Sequence, residues 1–323
     1  MLGSIGKGRM VVAPSIGVDV GVTRSQGKYI VSSSDPITGT VKRIGWHAVN
    51  VSANDVATSG IMPDALSVVG LFPRKHSLRM INSVMGEIHN TAKSLGIMVA
   101  GGHTEITPGL GKPIIVVTCF GSGKEFVTSA DSKPGDSILL TKTAGIEGTS
   151  ILAGMKAAKS RLTSVQRSKA IRLIKKLSIL GEAKIAFGTG RVHAMHDVTE
   201  GGVIGAVMEM SLASQLGFEL EKSAIPVDLA TKTICDVFSV DPLRLIGSGS
   251  LLIACPRKYE EDVRGALLQK RIKCTIIGRF LPEKRNRILV ERKGKKIRKS
   301  NLENIDVKDE LWPTLQKFGH ILP

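Results

Sequence analysis

His193-Ala194-Met195-His196-Asp197-Val198-Thr199-Glu200-Gly201-Gly202 runs into an apolar stretch, Val203 to about Ser214, that reads as a helix. An acid and a hydroxyl therefore stand just ahead of the backbone amides of a helix start, where N–H groups without intrahelical partners favour an anion. The plainer reading of the same residues is N-capping by Thr199 or Asp197. Further on, Leu251 to Ala254 and Thr275 to Phe280 read as strands, and upstream Ile138 to Thr141 is a strand feeding the glycine-bearing turn Ala144-Gly145-Ile146-Glu147-Gly148-Thr149 into a helix.

The first half carries a comparable turn in Ala100-Gly101-Gly102-His103-Thr104-Glu105-Ile106-Thr107-Pro108-Gly109. The run Ile97 to Ala100 is short and apolar enough for a buried strand, so the paired glycines are expected where its tip hands over to a loop. Backbone without side chains approaches a ligand closely there, which suits an anion or a metal. The alternative is a tight turn with two exposed polar residues. Around it, strands are expected at Gly17 to Val22 and Tyr29 to Ser32, with a loop at Arg24 to Gly27. Helices are expected from near Ile44 to Thr58 and from about Ser77 to Leu95, and a strand at Ile114 to Phe120. Both halves thus hold a turn with acid and glycines, without a recognisable repeat.

At 323 residues the chain exceeds one typical domain, and Ser132-Lys133-Pro134-Gly135-Asp136 marks the best boundary. The expected division is an N-terminal glycine-rich arm at 1–16, a domain at 17–130, a second at 136–282, and a basic extension at 283–323. Aromatics are only 4% of the chain against 42% apolar residues, so aliphatic side chains fill the core, as suits sheets layered with helices. No apolar run approaches the roughly 20 residues that span a bilayer, and the first ten residues lack a secretion signal. A soluble, cytoplasmic protein is expected. Four cysteines at 119, 235, 255 and 274 have no CxxC spacing and read as core thiols rather than a zinc site or disulfide framework.

The formal charge of +17 is concentrated. Residues 151–180 hold eight Lys or Arg and no acid, and 281–300 hold nine against Glu283 and Glu291. Both blocks suit a polyanion, yet neither has the interleaved aromatics of a single-strand binder. A solvated basic surface is the preferred meaning, with nucleic acid not expected as a partner.

Three acids interrupt apolar or small-residue contexts: Asp19, Asp35 before Pro36, and Asp55 in the first helix. A carboxylate in such a place needs donors or a cation, and converging carboxylates suit magnesium, which in turn implies polyphosphate. Singly, each has a plain reading: a β-turn residue for Asp19, a turn residue for Asp35, the solvent face of the helix for Asp55. Jointly, beside the glycine segment, they favour a site. Asn50, Asn54 and Asp55 crowd one region of the helix opposite its apolar stripe and suit a base, a ribose or metal-bound water.

The motif from His193 to Gly202, followed by Ala224-Ile225-Pro226-Val227 and Asp241-Pro242-Leu243, resembles the hydrogenase maturation factor HypE. Ser33-Ser34-Asp35, Val51-Ser52-Ala53-Asn54-Asp55-Val56-Ala57 and Gly101-Gly102-His103-Thr104 look like the ATP-site signatures of the wider PurM-like (AIR synthase-related) superfamily, which includes aminoimidazole ribonucleotide synthase and thiamine-monophosphate kinase. The resemblance spans about residues 17–282. It implies a mixed α/β and α+β, two-domain architecture: an N-terminal domain that dimerises through its sheet, and a C-terminal α+β sandwich domain. ATP and Mg2+ would bind between them, near the homodimer interface. By motif match Asp19, Asp35 and Asp55 become metal candidates and Asn54 a nucleotide-site candidate. Gly101, Gly102 and Thr104 join the phosphate-facing loop, Asp197, Thr199, Gly201 and Gly202 line the site from the second domain, and Glu147 occupies a turn where relatives carry an acid.

Two departures bear on the reaction. HypE proteins end in Pro-Arg-Ile-Cys, whose thiol is carbamoylated and dehydrated with ATP; this sequence ends Phe318-Gly319-His320-Ile321-Leu322-Pro323, so that self-modification is not expected. His103 stands where HypE and the thiamine kinase have Asp and the purine enzyme has Glu. Neutral imidazole is a poorer magnesium ligand than carboxylate, so His103 suits acid–base work or a phosphate contact, with Glu105 supplying negative charge. The resemblance implies an ATP-dependent enzyme that phosphorylates an oxygen of an unidentified small-molecule acceptor, with His103, Glu105 and Asp197 as catalytic candidates and Lys7 or Arg9 closing over the nucleotide. The alternatives are a nucleotide-binding HypE paralogue acting as partner in a maturation complex, and a thiamine-monophosphate-kinase-like kinase.

Overall fold

The computed structural model describes residues 10–38, 43–294, 296–302 and 308–319, and the chain divides into two compact units. The first comprises Asp19–Phe126 with the chain up to Pro14; the second comprises Ser15–Val18 and the chain from Val127 onward. Lys7 and Arg9 lie outside the described residues. Among the described residues no helix is long and apolar enough to cross a membrane.

The first unit runs β1 (Met10–Val12), β2 (Gly21–Ser25), β3 (Lys28–Ile37), α1 (Ile44–Thr58), β4 (Ala65–Pro73), α2 (Leu78–Leu95), β5 (Met98–Thr107) and β6 (Ile114–Gly123). Its six-stranded sheet has the order β1-β2-β3-β6-β4-β5. Every pairing is antiparallel except β4 with β5, which α2 joins as a crossover. Gln26 (φ 48°) and Gly27 (φ 77°) form the two-residue left-handed turn that matches strand twist in the β2–β3 hairpin. In α2, Ser77 Oγ accepts from the Met80 N–H at the start and left-handed Gly96 ends the helix. Its buried stripe is Ile81, Val84, Ile88 and Ala92. α1 differs: it is enclosed nearly all round, polar residues included, and Ser52 donates to the Val117 carbonyl of β6 at 3.0 Å.

Three expectations change in this unit. Residues 10–12, expected in the glycine-rich arm, pair with β2 as a strand. Asp35-Pro36 is strand, not turn; the proline is tolerated because β2 begins opposite Ser32, so among the described residues no strand pairs with that flank of β3 at Pro36. Gly101, Gly102, His103, Thr104 and Glu105 are not a loop but the middle of β5, whose ladder with β4 continues to Thr107 past a bulge at Val99–Gly101. Gly102 (φ 153°) is required by close packing: a Cβ there would lie 2.0 Å from the Val68 carbonyl oxygen.

The second unit runs β7 (Asp136–Thr141), α3 (Ile146–Ala153), α4 (Lys156–Arg161), α5 (Ser164–Arg172), α6 (Leu180–Gly188), β8 (Ala194–Asp197), α7 (Gly202–Ser214) and β9 (Gly217–Glu221). It continues with α8 (Leu229–Phe238), β10 (Leu251–Pro256), α9 (Glu260–Gln269), β11 (Cys274–Leu281), β12 (Arg287–Lys293), β13 (Lys296–Asn301) and α10 (Leu311–Phe318). The seven strands have the order β13-β12-β9-β11-β7-β10-β8, antiparallel apart from β12 against β9. Val203, Ile204 and Val207 of α7 share one core with Phe218, Leu220, Leu252 and Phe280 of the sheet. A second core joins Leu152, Ala158, Ile234, Phe238, Leu245 and Leu311, so α10 is integral to the unit.

The basic residues after 283 therefore belong to this unit rather than to a separate extension. Their charge is partly answered on β9, where Glu219 pairs with Lys299 (3.1 Å) and Glu221 with Arg292 (2.6 Å). In the 151–180 block Arg161, Arg167 and Arg172 donate to the carbonyls of Val237, Ala153 and Ser168. Cys119, Cys235 and Cys255 are buried and Cys274 half-buried; burial pushes all four thiols up to about 12.

Candidate functional site

Period-2 alternation puts Ser33 and Asp35 on the same face of β3, and α1 presents Asp55 to that face. Ser33 Oγ stands 2.8 Å from Asp55 Oδ2 and 3.1 Å from Asp35 Oδ2. One hydroxyl proton serves one acceptor at a time, so the two carboxylates converge on one donor that they share. Like charges so placed favour a cation, and carboxylate oxygens are the donor type that magnesium takes. Asp19 lies just before β2, half-buried. Asn54 is fully buried in α1, and Asn50 donates its amide to the Trp46 carbonyl.

The glycine segment is elsewhere in the same sheet. His103 and Glu105 form an exposed pair at 3.7 Å on β5, an edge strand separated from β3 by β6 and β4. Three strand spacings place β5 about 14 Å from β3. Within one chain, Gly101, Gly102, His103, Thr104 and Glu105 are therefore not brought to Asp35 and Asp55.

In the second unit, β8 ends at Asp197, which is buried, as is His196, whose Nε2 lies 3.0 Å from Glu209 on α7. The chain then turns through Thr199 to two successive left-handed glycines, Gly201 (φ 74°) and Gly202 (φ 62°). A Cβ on Gly202 would lie 2.6 Å from the Leu243 carbonyl oxygen, so glycine is obligatory. The N-cap of α7 is Gly201, which has no side chain to cap with, and the Thr199 backbone carbonyl accepts from the Gly202 and Gly247 amides. The Gly201 N–H is taken by Asp309 Oδ2 at 2.8 Å, from beyond β13.

Glu147 lies in the first turn of α3, after left-handed Gly145. Burial, then the charges of Glu200 and Asp309, push its carboxyl up to about 7, against a lowering hydrogen bond from Ser248. Burial likewise raises Asp309. A carboxyl poised near neutrality exchanges a proton at working pH. Ser33 was legible beside Asp35, and Gly247-Ser248-Gly249-Ser250 carries a turn signal. Nothing local marks Asp309.

Residues 17–122 match the AIR synthase related protein N-terminal domain, and residues 133–291 match the C-terminal domain of the same family. The chain belongs to the AIR synthase-related family. Among curated proteins it is 27% identical over 253 residues to the carbamoyl dehydratase HypE of Escherichia coli, covering 75% of this chain and 70% of that protein. It is 27% identical over 217 residues to the HypE of Cupriavidus necator, covering 66% and 60%. The similarity thus spans about two thirds of these relatives' length. In three dimensions this AIR synthase-related chain is similar to HypE in a HypE–HypF complex (TM-score 0.73, 19% identity, 87% of this chain and 92% of that one). It is also similar to HypE in complex with ATP (TM-score 0.70, 21% identity, 86% of each chain) and to a ThiL chain complexed with AMPPCP and TMP (TM-score 0.70, 17% identity, 88% and 91%). The two-domain PurM-like fold is that of HypE and of thiamine-monophosphate kinase.

Proposed function

We propose that this protein binds ATP with Mg2+ in the cytoplasm and transfers the γ-phosphoryl group to an oxygen of a small molecule. The observation that carries the reading is the Ser33 hydroxyl set between the Asp35 and Asp55 carboxylates. The family's HypE and ThiL structures bound to ATP and AMPPCP support it. Asp35 and Asp55, with Asp19 as a third carboxylate, are the residues that would hold magnesium. When bound, the ion supplies charge neutralisation for the phosphates. Ser33 orients the two acids. Glu147 holds or releases a proton near neutral pH.

The exposed edge strand β5, with Met98, Val99 and Ile106 open to solvent, supports a homodimer built on this sheet. In that reading His103, Glu105 and the glycines of β5 act through a second copy. Chemistry on an internal thiol is disfavoured, because burial holds all four well above neutral pH. A second reading, a nucleotide-binding partner in a maturation complex, is favoured by the likeness to HypE in its complex with HypF.

Calorimetric titration tests the first reading. Magnesium-dependent ATP binding is expected, weakened at least tenfold in Asp35→Asn; wild-type protein that binds no ATP with Mg2+ refutes it. Binding without turnover of any acceptor would shift the conclusion to the second reading.

A further inference from the structure

Lys142 stands one residue past β7 with φ 54°, in the left-handed region that few side-chain-bearing residues adopt. Its side chain is 16% exposed. Nζ donates to the carbonyl oxygens of Lys176 (2.9 Å), Ser178 (2.8 Å) and Gly249 (2.8 Å), and lies 2.7 Å from Glu182 Oε1, which is buried. An ammonium has three protons, yet four oxygens, three from the 176–182 stretch and one from Gly249, converge on it. That is the environment of a spherical cation rather than of a directional donor. Glycine is needed at 249 for the convergence, since a Cβ there would lie 2.7 Å from the Lys176 carbonyl oxygen.

We propose that Lys142 is a tethered monovalent cation: the carbonyls of Lys176, Ser178 and Gly249 and the Glu182 carboxylate form a cation site that potassium or ammonium fills when the side chain is removed. Glu182 makes the filled site electrically neutral, and burial makes the empty one costly. The site also fixes the 247–250 turn, where Ser250 Oγ donates to the Thr143 carbonyl at 2.7 Å and Ser248 bonds Glu147. On the ATP reading proposed above, Lys142 is thereby a positioning residue for Glu147.

Lys142→Gly tests this, because glycine suits φ 54° and so separates loss of the cation from backbone strain. In tetramethylammonium chloride its Tm should fall by about 10 °C. Potassium or ammonium chloride at equal ionic strength should restore at least half of the loss, while wild-type Tm does not distinguish the salts. Equal Tm values of the variant in all three salts, or no fall at all, overturn the proposal; folding only in potassium or ammonium supports it. In wild-type protein labelled with 15N-lysine, a solvent-protected ammonium signal absent from Lys142→Arg is also expected. Its absence from the wild type would overturn the proposal even if the glycine variant never folds. Restored Tm without restored Mg-ATP affinity would uphold the cation site and reject the positioning role, whereas wild-type protein that binds no ATP would fail the ATP reading alone.

Discussion

The Asp309 carboxylate accepts from the Gly201 backbone N–H at 2.8 Å, tying the segment before α10 to the glycine turn that starts α7. Its other oxygen accepts from the Leu311 N–H at 2.7 Å, so one side chain serves the first turns of two helices. Asp309→Ala should cost about 1–2 kcal/mol, as loss of a cap does. Asp309→Asn keeps one acceptor and should recover part of that. Urea midpoints of the two variants check both statements, and equal loss would show that the charge, not the acceptor, matters.

Glu147 titrates with a definite sign. In the folded protein its carboxyl is pushed up to about 7 from a reference of 4.5, so the folded state keeps a proton that the unfolded chain has released. Stability is therefore undiminished below 4.5 and declines as pH rises through 7. The full difference is about 3 kcal/mol. Glu147→Gln should flatten this decline, gaining on wild type at pH 8 but not at pH 4, as read from denaturation midpoints. Asp309→Asn removes a neighbouring charge that raises Glu147, and should shift the wild-type decline to lower pH.

Asp55 and Asp35 share the Ser33 hydroxyl in a setting where one carboxylate is buried. Asp55→Asn removes one of two like charges, so without metal the variant should be at least as stable as wild type. Added Mg2+ should raise the Tm of wild type and leave the variant unmoved. A variant that gains as much from Mg2+ as wild type would remove Asp55 from the ligand set.

The helices α1 and α2 were legible to within a residue, because apolar spacing and the stops at Gly60 and Gly96 act locally. The glycine turns before α3 and α7 were legible for the same reason. β5 was legible only at its start: an exposed edge strand does not alternate, so Gly101 to Glu105 carry a loop's composition. The pairing of Asp35 with Asp55 was suggested by residue type, but their common donor Ser33 became meaningful only when β3 met α1. Asp309 was silent, since its partner Gly201 lies 108 residues away and only the packing of α10 brings them together.

Gly102 offers the sharpest separation of a structural glycine from a ligand-binding one. A methyl group there would meet the Val68 carbonyl oxygen at 2.0 Å, a backbone atom of β4 that has no rotamer to relax. The neighbouring Gly101 has nothing within 4 Å of a built Cβ. Gly102→Ala should therefore destabilise the first unit by about 3 kcal/mol or more, through forced separation of β5 from β4. Gly101→Ala should be near neutral in stability. Hydrogen exchange at β4 and β5 amides checks the first, with faster exchange expected along both strands. If Gly101→Ala weakens Mg-ATP binding while leaving exchange unchanged, the β5 glycines face nucleotide through a second copy; if Mg-ATP binding and exchange are both unchanged, Gly101 has no ligand.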